Sequence, residues 1–271
     1  MHNRVALSVI SPVPALLRRV AVPMFLLALT LGGAQGADCR RSDFGVAVDV
    51  GHTPEAQGAS SARGVPELTF NRVLASEIVQ TLSQAGYPTL LVTVHGRGTA
   101  QLLERTARAQ AFGARLFLAI HHDDVQSIYK SKWEVDGTTH QYSDRFSGHS
   151  LFVSAKNGDY QGSMAFARLL GHQLKMQGLQ FTRHHAEKIP GEGRLIIDPD
   201  VGIYRYDDLV VLKRAASPAV LLEAGVIVNR ADELLLNSDE RRKQIEDAVL
   251  SAVDGFCLMR ERPSGAPRQA R

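Results

Sequence analysis

The sequence predicts an α/β fold: a single domain built on a twisted, mostly parallel sheet with helices on both faces. Three observations carry this. Strand-like and helix-like stretches alternate from Phe44 to Ile120, the pattern of a sheet with helices against its faces. The runs VAVDV (46–50), RLFLAI (115–120) and PAVLL (218–222) are nearly continuous in apolar character, as strands covered on both sides are. Finally, 271 residues with 44% apolar and 22% charged side chains suit one good-sized core.

The two ends stand apart from that domain. Arg18 and Arg19 precede an apolar run, Val20 to Leu31, and Ala34-Gln35-Gly36 offers small residues for cleavage before Ala37, so residues 1–36 read as a secretory signal peptide. Asp38 before Cys39 does not fit a lipoprotein signal, and the run is too short to span a bilayer comfortably. The mature chain is therefore expected to carry no transmembrane segment and to be exported, periplasmic or extracellular. Cleavage removes three arginines and no acid, which takes the formal charge from +3 to 0 and gives no sign of a nucleic-acid binder. Residues 260–271, with four arginines, Pro263, Gly265 and Pro267, read as a basic disordered tail.

Between these ends, Val46 to Val50 is an interior strand bounded by Gly51. Leu68 to Gln84 spaces Phe70, Leu74, Ile78 and Leu82 four apart and meets Gly86, which predicts an amphipathic helix with a glycine stop. Tyr87 to Val94 is β-branched and apolar, a second strand; Thr99 to Phe112 is a second helix and Arg115 to Ile120 a third strand. From Asp123 to Gly148 the periodicity disappears, and a connection of that length reads as a lid, a binding loop or a disordered insertion beginning at the preceding strand end. A strand at His149 to Ser154, a helix from Tyr160 to Met176, an irregular stretch from Leu179 to Asp208, the strand Pro218 to Leu222 and a closing helix from Ser238 to Phe256 complete the chain.

Three strands deliver ligand-type or acid-type groups at or just beyond their ends. His52 follows the first, with Glu67 fourteen small and polar residues later; His121 closes the third; Glu223 closes the last. In open α/β sheets ligands gather outside the carboxyl ends of the strands. Two imidazoles and a carboxylate are a donor set that zinc takes, with a position left open for chemistry. His122 rivals His121, and because side chains alternate along a strand only one of the two can face the site.

These residues also resemble a known family. Asp49-Val50-Gly51-His52, Glu67 opening a helix, Arg105 with Ala109-Gln110, the strand ending at His121, and Pro218 to Gly225 with Asn229 look like the zinc-dependent N-acetylmuramoyl-L-alanine amidases, the bacterial cell-wall amidases of type 3. The resemblance runs in order from Phe44 to Phe256 and implies that residues 37–259 form the catalytic domain. It implies Zn2+ on His52, Glu67 and His121, Glu223 as the catalytic carboxylate, and peptidoglycan or a muropeptide as substrate. The bond would be the amide between the lactyl group of N-acetylmuramic acid and L-alanine of the stem peptide. The chain departs from the family pattern at Thr53-Pro54, at His122-Asp123 and after Glu223, and keeps every ligand.

Two other functions are weighed against this one. A zinc carboxypeptidase acting on the stem peptide shares strand-end zinc ligands, but such enzymes usually keep their first two close together as His-x-x-Glu. A non-catalytic peptidoglycan-binding protein would be marked by a lost ligand or a lost Glu223, and neither is lost. In some amidases of the family an insertion after the third strand blocks the metal until a protein activator displaces it; here Asp123 to Gly148 reads rather as a substrate-contacting loop. Glu134, Asp136 or His140 could reach the metal from it, and Trp133 and Tyr142 could pack on substrate. His184 and Glu187 stand next in line as base should Glu223 not serve. Cys39 and Cys257 are the only cysteines, able to pair in an oxidising compartment if the fold brings them within reach.

Overall fold

The computed structural model describes residues 39–261; the expected signal peptide and residues 262–271 of the expected tail lie outside them. The chain runs β1 (Val46–Val50), α1 (Glu67–Gln84), β2 (Thr89–Val92), α2 (Gly98–Phe112), β3 (Leu116–Asp123), β4 (Ser131–Val135), β5 (Thr138–Tyr142), β6 (Ser150–Val153), α3 (Tyr160–Met176), β7 (Leu195–Asp198), β8 (Ile203–Arg205), α4 (Val210–Arg214), β9 (Ala219–Val226), α5 (Arg230–Leu236) and α6 (Asp239–Glu261). Seven strands form one sheet in the order β2-β1-β3-β9-β6-β8-β7. The first four are mutually parallel, and β6 then joins β9 antiparallel.

Strand alternation divides the core. Val46, Val48, Val50, Leu118, Ile120, Val220 and Leu222 face α1, α3 and α6, whereas Ala47, Phe117, Ala119, Ala219 and Leu221 face α2 and α4. The first layer is the thicker, since α6 alone buries Ile245, Val249, Val253 and Phe256 there, each contributing roughly 1.5–3 kcal/mol. The α/β class, the single domain and the largely parallel sheet are all as expected.

Five stretches differ from the sequence reading. Asp123 to Gly148 is no loose cover: Asp136 (φ 50°) and Gly137 (φ 74°) make a tight turn joining β4 to β5, and Asp-Gly is a strong hairpin signal. Leu179 to Asp208 contributes the edge strand β7 and its neighbour β8, and α4 and α5 occupy segments with no assigned element. The last helix reaches Glu261, so Arg260 and Glu261 belong to it and not to a disordered tail.

Cys39 and Cys257 are bonded, with their Cα atoms 5.4 Å apart and a sequence separation of 218. The bridge ties the chain just ahead of β1 to the end of α6. Because it restricts the unfolded chain over so long a loop, Cys39→Ser with Cys257→Ser is expected to lower the unfolding free energy by about 2–4 kcal/mol. Urea titration of the oxidised and double-variant proteins checks this; equal midpoints would show that the bridge adds no stability.

Candidate active site

The parallel pairing of β1, β3 and β9 brings the strand-end groups together. Gly51 and His52 leave β1, and His121 on β3 pairs in register with Glu223 on β9. His121 and Glu223 share the parity of Phe117 and Leu221, so both project on the α2 side of the sheet. Glu67 arrives from the first turn of α1, where a carboxylate is favoured by the helix dipole.

Glu67 bridges the two imidazoles. His52 Nε2 lies 2.8 Å from its Oε2 and His121 Nδ1 lies 3.0 Å from its Oε1. The ligand atoms of the three residues all fall within 4.8 Å of one another. Burial opposes charge on Glu67, but hydrogen bonds from His121 and His52 outweigh it and hold the carboxyl well below its ordinary range. The backbone leaves room for these groups and little else. A Cβ at Gly51 would sit 2.5 Å from His121 Nε2, and one at Gly58 would sit 2.4 Å from Glu67 Oε2. The small residues of the loop are thus a steric requirement of the site.

His52 itself has φ 70°, a left-handed conformation that costs a non-glycine residue of order 1–3 kcal/mol and persists only where its surroundings hold it. Arg105 on α2 holds it. Buried, it donates to the Val50 carbonyl, to His52 O at 2.5 Å and to Asp49 Oδ1 at 2.8 Å. Burial pushes the Asp49 carboxyl up to about 6, against the pull of Arg105.

His122 is placed on the opposite face, where it packs on Phe70 with ring centroids 5.5 Å apart. Its Nδ1 lies 2.8 Å from Asn71 Oδ1, and Asn71 Nδ2 donates to Glu67 Oε1 at 3.1 Å and to Gly51 O at 3.2 Å. Burial lowers His122 to about 4, so it is a neutral support for the turn of α1 that carries Glu67. The choice between His121 and His122 is thereby a matter of strand parity, and His121 faces the cleft.

Glu223 borders the same cleft as His52, Glu67 and His121. Its Oε2 is buried and has no hydrogen-bond partner. Burial, with Asp123 and Glu67 nearby, raises its carboxyl well above the ordinary value. A carboxyl kept unsatisfied and hard to ionise beside a ligand cluster is the environment of a proton-transfer group.

The cleft is walled by residues the sequence reading did not assign to it: Asp123 at the end of β3, Gln126 beyond it, and His185, Glu192 and Arg194 from the segment before β7. The β4–β5 hairpin is absent from that wall. Trp133 Nε1 donates to Ala62 O at 2.7 Å, Arg230 stacks 4.0 Å from the Tyr142 ring centroid, and His140 packs over Gly64. The expectation that Glu134, Asp136 or His140 reaches the metal position is therefore corrected, because the hairpin's aromatic face is held against the 60–65 loop. Glu187 bonds Tyr129 and His184 turns to Asp123, and neither borders the cleft.

Comparison with known proteins bears on this geometry. The sequence profile of the N-acetylmuramoyl-L-alanine amidases matches residues 46–255, the span that holds the sheet, the triad and Glu223. The chain belongs to the N-acetylmuramoyl-L-alanine amidase family. A family relative from Mycobacterium tuberculosis, an N-acetylmuramoyl-L-alanine amidase, is 26% identical over 208 residues, covering 74% of this chain and 73% of its own. Among solved structures, an N-acetylmuramyl-L-alanine amidase from Mycobacterium smegmatis superposes with TM-score 0.59 at 21% identity, covering 79% of this chain and 96% of that one. The catalytic domain of an amidase from Paenibacillus polymyxa gives 0.57 at 21% identity, covering 79% and 97%. These likenesses share the α/β fold described above. Family membership places the chain among the peptidoglycan amidases of the bacterial cell wall.

Proposed function

We propose that this chain is an exported, zinc-dependent amidase that hydrolyses the bond between the lactyl group of N-acetylmuramic acid and L-alanine of the stem peptide. The observation that carries the reading is the convergence of His52, Glu67 and His121 beside the unpartnered Glu223 carboxyl in one cleft of an amidase-family chain. The donor set fits zinc: two imidazoles and one carboxylate, with the cleft side open. A zinc ion there would supply Lewis-acid polarisation of the scissile carbonyl and acidify the attacking water.

The chain's own groups do the rest. Glu223 takes the proton of the attacking water and returns it to the departing amine of L-alanine, a role suited to a carboxyl whose proton affinity is raised by burial. Arg105 and Asn71 keep His52 and Glu67 in place, and the small residues at Gly51 and Gly58 keep the ligand space clear. Export is supported by the charged and apolar layout of residues 1–36 and by the Cys39–Cys257 bridge, which belongs in an oxidising compartment. Among the described residues no helix is long and apolar enough to cross a membrane.

Two measurements test the reading. Mass spectrometry of muropeptides incubated with the protein should show loss of the intact stem peptide from muramic acid; release of a single terminal amino acid would point to a carboxypeptidase instead. Metal analysis should show that His52→Ala and His121→Ala each lose zinc at this site while His122→Ala retains it. A His121 variant that keeps the triad's zinc would overturn the ligand assignment.

A further inference from the structure

Beyond His121 the chain carries a second set of ligand-type side chains that the proposed reaction does not use. Asp123, His184 and His185 are buried, and their ligand atoms lie within 4.8 Å of one another. His185 Nε2 is 2.6 Å from Asp123 Oδ2, and His184 Nε2 is 3.3 Å from the same oxygen. Their outer nitrogens are both engaged: His185 Nδ1 lies 3.1 Å from Glu192 Oε2 and His184 Nδ1 lies 3.0 Å from Thr182 Oγ1. In metal sites a ligating imidazole has its far nitrogen held by an oxygen in this way. Asp123 is oriented as well, since its Oδ1 accepts the Asp124 N–H at 2.8 Å.

As a purely protein cluster this set does not balance. His185 and Asp123 share a close hydrogen bond, whereas His184 Nε2, buried and 3.3 Å from the same oxygen, makes no well-aligned hydrogen bond. Leaving such an atom unpaired in the interior is costly. A divalent cation would engage all three groups at once. Two imidazoles and a carboxylate again suit zinc or a similar borderline ion. Asp123 and His185 also border the cleft, which gives an ion its way in and leaves a position open on that side.

We propose that Asp123, His184 and His185 form a second divalent-cation site, distinct from His52, Glu67 and His121 and opening on the same cleft. An ion there ties the segment carrying His184 and His185 to the end of β3 and sets a second positive centre on the cleft wall that includes Glu223. Neither His184 nor His185 contributes to the first triad, so the two sites are separable by substitution.

The test is zinc stoichiometry, read without reference to activity. The full chain is stripped with a chelator, dialysed against micromolar zinc and assayed by mass spectrometry for metal, with circular dichroism confirming the fold. Two equivalents are expected in the wild type; His184→Gln and His185→Gln should each lose one, His52→Ala should lose the other, and His52→Ala with His184→Gln should bind none. Should His184→Gln not fold, His185→Gln carries the comparison, since its site is less deeply enclosed. A single equivalent lost in His52→Ala and unaffected by His184→Gln or His185→Gln would overturn the second site, as would two equivalents retained in both histidine variants. A single equivalent lost only in the His184 and His185 variants would uphold this site and remove the triad assignment instead.

Discussion

Glu223→Gln is expected to fold and to take up zinc like the wild type while its turnover of a muramyl peptide falls by about 10² to 10⁴-fold, the usual worth of a positioned acid–base group. The amide keeps the size and the hydrogen-bonding reach of the carboxyl but cannot accept a proton from water. Nothing nearby replaces it. Glu67 is held ionised between two imidazoles, Asp123 is engaged by His185, and Glu187 is bonded to Tyr129 away from the cleft. Because no hydrogen bond to Oε2 is lost, the variant is expected to keep its fold. Steady-state kinetics with metal analysis on the same preparation decides it: near-wild-type turnover at full metal occupancy would mean that another group carries the proton.

The parts of the site that were legible are those written in continuous apolar runs. VAVDV, RLFLAI and PAVLL could only be interior strands, and each ends where a ligand-type residue stands, so His52, His121 and Glu223 followed from strand-end chemistry. Strand alternation alone left His121 and His122 open and the family resemblance pointed to His121; the packing of Phe117 and Ala119 toward α2 supplies the physical reason. The hairpin was missed although Asp136-Gly137 announced it, because β4 and β5 are short and mostly polar, and Trp133, Val135, His140 and Tyr142 mark a partly buried face too brief to set a period. Strands β7 and β8 are four and three residues long at the sheet's edge, below the length at which alternation can be recognised. The meeting of Asp123 with His184 and His185 spans about sixty residues of sequence and depends on an irregular segment folding back over β3, for which no local pattern exists.

Arg105→Met should be the most destabilising single change in the site, by about 3–5 kcal/mol at pH 8. Breaking a buried ion pair by removing one partner leaves the other charge uncompensated, and here that charge is Asp49, buried within β1. Methionine fills much of the space, so the loss reports the charge and the hydrogen bonds more than the packing. The pH dependence has a definite sign. Burial already raises the folded Asp49 carboxyl to about 6 with Arg105 present, and without the guanidinium it rises further. A carboxyl with a raised folded pKa favours the folded state only while it stays protonated, so stability falls as pH climbs past the unfolded value near 4. The variant should therefore be less impaired at pH 5 than at pH 8, and adding Asp49→Asn should flatten that difference and recover part of the loss. The same substitution frees the Val50 and His52 carbonyls, so the left-handed turn at His52 relaxes and zinc affinity at the triad is expected to drop by about 10 to 100-fold. Urea titrations at the two pH values, with zinc binding measured on the folded variant, check all three effects. A loss under 1 kcal/mol that is the same at both pH values would show that Asp49 is not left charged in the core and that the turn at His52 is held by the sheet alone.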